Sequence, residues 1–162
     1  MLKHIKFRYF CNFRQLMKDF ADILKTRNYR KISFRITRTN HLLLRASING
    51  VAGNFILDTG ASSSCVGVES VEMFGLKTAD SETKAAGAGA TGMQTQISEK
   101  NILRVGTWKK TDFDIVVFDM SHVNTALEEH HARPVQGIIG ADVLMLGKAI
   151  IDYHNNHLFL LK

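Results

Sequence analysis

Residues 51–61 read Val-Ala-Gly-Asn-Phe-Ile-Leu-Asp-Thr-Gly-Ala, and the rest of the chain is best interpreted around them. The part before the aspartate ends in an apolar run bounded by glycine, which is typical of a buried strand. Asp58 follows directly, at a place where an unpaired carboxylate is costly. Small residues continue to Ser64, so the backbone can turn and another backbone can come close. A bare Asp-Thr-Gly triplet is usually a turn whose aspartate caps its own loop, so its meaning depends on the rest of the chain.

The strand before Asp58 is predicted to be the second arm of a hairpin. Asn49-Gly50 is a strong two-residue hairpin signal, because both residues tolerate a positive φ. It joins this strand to an apolar strand over residues 42–48. Upstream, residues 32–36 alternate between apolar and polar side chains, which predicts a half-exposed strand. A sheet is therefore expected to hold the carboxylate in place.

A glycine-rich segment, residues 85–92, reads Ala-Ala-Gly-Ala-Gly-Ala-Thr-Gly. Gly87, Gly89 and Gly92 match the dinucleotide-binding pattern G-x-G-x-x-G, which requires an apolar strand before it and a helix after it. Here the preceding residues are polar, and residues 93–98 alternate like a strand. This context argues against a dinucleotide site. It favours a mobile hairpin tip whose backbone can lie across a bound ligand.

Two short helices are predicted in the second half of the chain. Thr125 and Glu128 match a capping box that would open a helix near residues 125–131. A short apolar strand ends at Gly140, and a helix over residues 141–147 is expected after it. Further apolar strands are predicted at residues 65–68, 102–105, 113–118, 150–153 and 158–161.

The first 45 residues are strongly basic. They contain 12 Lys and Arg residues and two acids, whereas residues 46–162 contain 9 basic and 13 acidic residues. Apolar residues at helical spacing predict an amphipathic helix over residues 12–26. A basic arm could contact nucleic acid or an anionic membrane surface, or dock on the protein's own body or a partner subunit. No nucleic-acid-binding motif accompanies the charge, which argues against the first of these roles.

Length and composition are those of an ordinary globular domain. The chain has 162 residues, of which 45% are hydrophobic, and no apolar run is long enough for a membrane span. Cys11 and Cys65 form no pair motif and no signal peptide is recognised, so reduced thiols and a cytoplasmic location are expected. Cys65 is interpreted as a small buried hydrophobe. His130 and His131 are adjacent and have no further ligands at zinc spacing, so no metal site is predicted.

Three of these motifs together resemble the retropepsin-like aspartic proteases, including their cellular members. The resemblance rests on Phe55–Ala61, on the glycine-rich residues 85–92, and on residues 138–140 before a short helix. It covers residues 31–162 and leaves residues 1–30 outside, as a basic N-terminal arm. The resemblance implies a mainly β fold, the closed β-barrel-like half of an acid protease, with an added N-terminal helix and the two short helices. The helix near residues 125–131 has no counterpart in the minimal viral pattern.

The resemblance also implies an aspartic endopeptidase that acts on protein or peptide substrates. Such enzymes use two carboxylates, one ionised as the general base for water and one protonated to hydrogen-bond the scissile carbonyl. This chain contains one Asp-Thr-Gly, and neither Asp142 nor Asp152 is followed by Thr-Gly. Those two aspartates are interpreted as structural. A homodimer is therefore implied, in which the Asp58 side chain of each subunit meets its copy at the two-fold axis.

The resemblance assigns the remaining roles. Thr59 would hydrogen-bond across the axis, and Gly60 would leave room for substrate. The active-site loop and its support would comprise Thr59, Gly60, Ala61, Ile138, Ile139 and Gly140. The substrate-binding flap would comprise Gly87, Ala88 and Gly89. No metal or organic cofactor is implied, because water is the attacking group. The terminal strand at residues 158–161 is expected to form part of the dimer interface.

Two other classes of function remain open at this point. A catalytically silent, dimeric peptide-binding module of the same fold would bind peptides without cleaving them. A nucleic-acid or membrane adaptor would depend on residues 1–30 and would bind in a salt-dependent way. Cleavage of an unstructured protein separates the first class from an enzyme. Retention on heparin or DNA that is lost when the arm is deleted would identify the second.

Overall fold

The alternating and apolar runs of the sequence fold into a mainly β protein. The computed structural model describes residues 16, 20–81, 85–87 and 90–162. The strands are β1 (Tyr29–Ser33), β2 (Arg35–Ile36), β3 (Leu42–Ile48), β4 (Val51–Leu57), β5 (Cys65–Gly67), β6 (Thr78–Asp80), β7 (Ala85–Gly87), β8 (Ala90–Met93), β9 (Gln96–Val105), β10 (Trp108–Phe118), β11 (Gly137–Ile139), β12 (Ile150–Asp152) and β13 (His157–Leu161). Helical segments are α1 (residues 20–26), a 3-10 turn (Val68–Ser70), α2 (Ser121–Glu129) and α3 (Ala141–Leu146).

The largest sheet closes into a barrel. Its strands lie in the order β2-β3-β4-β11-β5-β10-β9-β6, and β9 also pairs with β3. The strands from β3 to β9 therefore form a ring, and a closed ring leaves no free edge along its own strands. Two pairings in this ring are parallel, β4 with β11 and β5 with β10. The predicted closed β-barrel-like fold is confirmed.

The hairpin that leads to Asp58 forms as predicted. β3 and β4 pair over their full length, from Ile48 opposite Val51 to Leu42 opposite Leu57. The turn residues Asn49 and Gly50 have φ values of 51° and 90°, which is the left-handed conformation that a tight two-residue hairpin requires.

Side chains from β4 are packed on both faces of the sheet. Phe55 and Leu57 point into the barrel and belong to the main core, whereas Ile56 points outward. Ile56 packs under α2 in a second apolar cluster that includes Leu43 and Leu127. Burying a large apolar side chain completely stabilises a fold by about 1.5–3 kcal/mol. The strand that ends at Asp58 is therefore held by both clusters.

A second sheet combines the two ends of the described chain. Its order is β1-β13-β12, with β13 in the centre. Leu158 and Leu160 of β13 are fully buried in the main core. The expectation that residues 158–161 form part of a dimer interface does not fit this position, because β13 is already paired on both sides within one chain.

Several predicted elements differ in their limits; the strands expected at residues 102–105 and 113–118, for example, are the ends of the longer strands β9 and β10. The strand expected over residues 32–36 divides at Phe34, where the chain passes from the terminal sheet to the barrel. The helix expected near residues 125–131 is present as α2, but it begins at Ser121, so Thr125 lies inside it and does not cap it. The Asp119 Oδ1 atom accepts the Ser121 N–H at 2.8 Å and so satisfies one of the free amide groups of the first turn.

The amphipathic helix predicted over residues 12–26 is described only in part. Residues 16 and 20–26 are helical, and the remaining residues of that prediction lie outside the described ranges. Within α1, Leu24 is buried, while Phe20 and Ile23 are exposed. Within the described part of the chain, no helix has the length and apolar character needed to cross a membrane. The division into an arm at residues 1–30 and a domain at residues 31–162 stays a prediction; β1 begins at Tyr29.

Candidate active site

Asp58 lies where β4 leaves the barrel. On one side of β4, Leu57 is opposite Leu42 of β3; on the other side, it is opposite Ile139 of β11. The Asp58 N–H donates to the Ile139 carbonyl oxygen at 3.0 Å, which continues the parallel ladder one residue beyond the strand. Because main-chain bonds on both flanks fix β4, the direction in which the chain leaves the sheet is fixed too.

The Asp58 side chain is half-buried and makes one local hydrogen bond. Its Oδ1 atom accepts the Gly60 N–H at 2.8 Å, an interaction typical of an aspartate that begins a turn. Its other carboxylate oxygen accepts no hydrogen bond from the described residues. Thr59 and Gly60 are exposed. The chain therefore presents a carboxylate with an oxygen left free by the described residues, beside an exposed turn.

The loop after Asp58 is bound to the segment between β11 and α3. The Ala141 N–H donates to the Ala61 carbonyl oxygen at 2.7 Å, and the Asp142 N–H donates to the Ser62 carbonyl oxygen at 3.3 Å. The structure thus brings Ala61 together with the residues that follow Ile138 and Ile139, although about 80 residues separate them in sequence.

Gly140 lies at the closest approach between these two segments. A Cβ atom built on Gly140 would lie 2.7 Å from the Ser63 carbonyl carbon and 2.8 Å from the Ala61 carbonyl oxygen. Backbone atoms cannot rotate away as the end of a side chain can, so only glycine fits here without a backbone shift. This contact explains the requirement for glycine after the two isoleucines.

Ser64 and Asp142 form a polar lock that the sequence analysis missed. Asp142 accepts hydrogen bonds from the Ser64 N–H at 2.7 Å and from the Ser64 Oγ at 2.6 Å, and Oδ1 also accepts the Val143 N–H at 2.7 Å. The Gly140 N–H donates to the Ser64 Oγ at 2.9 Å. The only sequence signals were a serine next to an apolar strand and an aspartate in the first turn of a short helix. Neither signal identifies its partner.

Cys65 follows this lock at the start of β5. Burial raises the pKa of its thiol to about 12; a hydrogen bond with the Ile138 backbone opposes this shift, and the negative charges of Asp142 and Asp58 add to it. A thiol with such a pKa stays protonated at neutral pH and is a poor nucleophile. The interpretation of Cys65 as a buried small hydrophobe is consistent with this position.

The glycine-rich segment forms a hairpin. Its two strands, β7 and β8, pair through Ala85 with Met93 and Gly87 with Ala90. Ala88 and Gly89, the other two predicted flap residues, lie outside the described residues. The strand β9 that follows this segment argues, as the sequence does, against a dinucleotide-binding turn, which would require a helix there.

The other candidate polar residues have structural positions. Asp152 accepts hydrogen bonds from the Asn155 N–H at 3.0 Å and the Asn155 Nδ2 at 2.7 Å, so it closes the turn between β12 and β13. Across the described ranges, no three His, Cys, Asp or Glu side chains are grouped so that they could hold a metal ion.

Comparisons with known proteins agree with this geometry. The sequence model of a family described as aspartyl protease matches residues 44–143, a range that includes both Asp58 and Asp142. A crystal structure of a retropepsin-like aspartic protease from Rickettsia conorii superposes with a TM-score of 0.54 at 19% identity and covers 82% of this chain and 89% of that one. The retroviral protease-like domain of Ddi1 from Leishmania major superposes with a TM-score of 0.52 at 18% identity, covering 78% and 90%. At these identities the similarity shows the fold. None of the proteins with a curated function matches the chain.

Proposed function

The chain belongs to the aspartyl protease family, and we propose that it is an endopeptidase whose active site is completed by a homodimer. In this proposal the Asp58 side chain of each subunit supplies one carboxylate of a catalytic pair. The substrate is a protein or peptide in an extended conformation. The domain that does this comprises residues 31–162, and residues 1–30 form an accessory arm.

The chemistry requires two carboxylates in different protonation states. Two carboxylates held about 3 Å apart do not both ionise, so the pair shares one proton. The ionised member takes a proton from water as the water attacks the scissile carbonyl carbon. The protonated member hydrogen-bonds the carbonyl oxygen and stabilises the gem-diol that forms. Collapse of the gem-diol breaks the C–N bond, and the leaving amine receives a proton.

One observation carries the proposal: of Asp58, Asp142 and Asp152, only Asp58 has a carboxylate oxygen left free by the described residues. Asp142 and Asp152 are engaged in several hydrogen bonds within the chain. Asp58 is also the aspartate held by main-chain bonds at the end of a buried strand, next to an exposed turn. A group of this kind is available to water and to a second subunit.

The neighbouring residues take supporting roles in the proposal. Thr59 would hydrogen-bond across the two-fold axis, and Gly60 would leave room for the substrate. Ala61, Ile138, Ile139 and Gly140 would keep the loop in place through the main-chain contacts described above. The β7–β8 hairpin, with Gly87, Ala88 and Gly89, would close over the substrate as a flap.

Mixed dimers test the shared site. Wild-type chain and Asp58→Asn chain would be unfolded together, refolded in equal amounts, and assayed for cleavage of a fluorescein-labelled, unstructured protein. If both subunits supply an essential carboxylate, only about one quarter of randomly assembled dimers are active. The mixture should then show about one quarter of the activity of the same amount of wild-type protein. If each chain works alone, about one half of that activity remains.

The size of the assembly and the fate of the substrate complete this test. Light scattering on each mixture checks that the variant still associates. If the protein is monomeric and its activity is proportional to the fraction of wild-type chain in the mixture, the shared site is wrong. Tight binding of an uncleaved peptide by the wild-type dimer would indicate the silent peptide-binding module instead.

A further inference from the structure

A groove of about 360 Å³ opens on the outside of the barrel, where the terminal sheet and the barrel diverge. It is lined from one side by β1 and from the other by β2, β3 and β4. The β4 residue that lines the groove is Asn54. Asn54 precedes Asp58 by four residues, which is roughly 13 Å along an extended strand. The groove is therefore separate from the Asp58 loop.

The charge that the described residues give this groove is entirely positive. Lys31 of β1, Arg35 of β2 and Arg45 of β3 line it, and none of the described aspartates or glutamates does. All three side chains belong to exposed residues, and within the described ranges none of them has an ion-pair partner. Three unpaired cations facing one concavity raise the local concentration of anions there. The groove is therefore suited to an acidic ligand.

One wall of the groove is the free edge of a sheet. Among the described strands, β1 pairs only with β13, and the Phe34 N–H donates to the Asn156 carbonyl oxygen. Antiparallel pairs alternate between bonded and non-bonded residues, so the main-chain groups of Lys31 and Ser33 point away from β13. Within the described ranges no main-chain partner meets them on that side. Such an edge can accept one more extended strand.

The floor of the groove is apolar. Ile32 and Leu44, which belong to the main core, form it, with Gly106 beside them. Leu43 also lines the groove, from the opposite face of β3. An added strand places alternate side chains on opposite faces, so one set can reach the apolar floor while the other reaches the cations. Free main-chain groups, an apolar floor and a positive rim together fit an extended peptide better than a compact anion such as phosphate.

From this combination we propose that the groove binds an extended acidic peptide segment, which adds to the edge of β1 and pairs its carboxylates with Lys31, Arg35 and Arg45. A two-fold copy of the same edge would oppose cation to cation, which disfavours self-pairing. None of the described residues that line the groove is aromatic, so they offer nucleic-acid bases no surface on which to stack. The groove and its ligand do not depend on the proposed catalysis.

Fluorescence anisotropy with a labelled peptide tests the proposal. The probe is Val-Glu-Val-Asp-Val-Glu-Val, and the protein is the full chain carrying Asp58→Asn, so that the probe cannot be cleaved. Arg45→Gln and Lys31→Gln are each expected to weaken binding by roughly fivefold, the effect of losing one partly exposed ion pair. The matched control, Lys77→Gln, removes an exposed charge outside the groove and should leave the affinity unchanged.

A modified probe tests the strand edge without altering the protein. Methylation of alternate peptide nitrogens removes the N–H groups from one edge of an extended chain. Of the two possible methylated probes, one should lose binding and the other should keep it. Amide hydrogen exchange at Lys31 and Ser33 should slow when the unmodified probe is bound.

Each other outcome overturns the proposal. Equal affinity for the Arg45→Gln and Lys77→Gln proteins would remove the cations from the site. Equal binding of both methylated probes would remove the β1 edge. If a single-stranded oligonucleotide with the same net charge as the probe displaces it, the groove is a nucleic-acid site. If the protein is a dimer that Arg45→Gln dissociates, the groove is covered by a second copy of the chain.

Discussion

Asp58 and Asp142 stand at the ends of two neighbouring parallel strands and have opposite surroundings. Asp58 follows β4 and accepts one hydrogen bond, from its own turn. Asp142 lies just beyond β11 and accepts hydrogen bonds from the Ser64 N–H, the Ser64 Oγ and the Val143 N–H. Two carboxylates at one edge of one sheet thus differ mainly in how many protein donors they meet.

This difference separates a carboxylate that supports the fold from one that is available for the proposed chemistry. A carboxylate that accepts protein hydrogen bonds at both oxygens fixes two chain segments to each other and has less acceptor capacity left for water. A carboxylate with a free oxygen contributes less to stability and stays available to a ligand. Asp142 thereby stabilises the loop on which Asp58 is held. The predictions below test this division, beginning with the largest expected effect.

Exchanging the carboxylate of Asp58 should abolish activity without weakening the fold. Asp58→Asn keeps the size of the side chain and an oxygen that can accept the Gly60 N–H, but the amide cannot act as a general base. The rate of peptide cleavage should fall by about 10³-fold or more, and the free energy of unfolding should change by about 0.5 kcal/mol or less. Cleavage assays and urea titrations measure the two quantities. Retained cleavage in this variant would remove Asp58 from the proposed mechanism.

The same exchange at Asp142 should mainly lower the free energy of unfolding. In Asp142→Asn the amide nitrogen replaces one acceptor oxygen and faces a donor of Ser64, so the free energy of unfolding should fall by roughly 2–3 kcal/mol. A double-mutant cycle with Ser64→Ala should show coupling between the two sites, because the lock is shared. Additive effects would show that the two residues stabilise the protein independently.

Gly140 and Gly60 extend the comparison to the backbone. Gly140→Ala would place a methyl group 2.7 Å from the Ser63 carbonyl carbon, so a loss of about 1–2 kcal/mol is expected from backbone displacement. Gly60→Ala is the matched control, because its methyl group would meet only the Asp58 Oδ1 atom, at 3.2 Å, in an exposed turn. We expect that variant to unfold at nearly the wild-type urea concentration. If both variants lose the same free energy of unfolding, the close backbone contact at Gly140 is not what supports the loop.

The Cys65 thiol lies within the field of both carboxylates and should make stability depend on pH. Its pKa is raised from 9.0 to about 12, chiefly by burial, so the unfolded chain loses this proton at a lower pH than the folded chain does. The resulting stabilisation is complete below pH 9 and decreases as the pH rises from about 9 towards 12, by up to about 1.4 kcal/mol per pH unit. Urea titrations of wild type and Cys65→Ala from pH 8 to 10.5 measure this decrease. The difference in stability between the two proteins should narrow above pH 9, and a constant difference would contradict the raised pKa.

Several features were predictable because their causes are local. The apolar run before Asp58 becomes β4, and Asn49-Gly50 adopts the hairpin conformation that its residue types favour. The glycine-rich segment is followed by a strand, which the alternation of side chains after it predicted. The position of the second short helix was also foreseen within one residue.

Other features depend on contacts between distant segments, and no local pattern reports those. The sequence pattern placed the start of α2 at Thr125, but the helix begins at Ser121. Asp119 supplies the acceptor for the first turn, and Thr125 lies inside the helix. The terminal strand was expected at an interface because it is apolar, but its partners are β1 and β12 of the same chain. An apolar strand has the same composition whether its own chain or another covers it.

Local sequence is enough to place a carboxylate at the end of a buried strand, since strand propensity, the hairpin turn and small residues act over a few neighbours. Which carboxylate keeps a free oxygen, and which accepts protein hydrogen bonds at both oxygens, depends on contacts between distant segments. Ser64 and Asp142 are 78 residues apart, and they meet because β4 and β5 both pair with β11 inside a closed barrel. The free edge of β1 beside three cations arises in the same way, from where two sheets separate. Closure of the sheets sets these distances, and closure depends on all the strands at once.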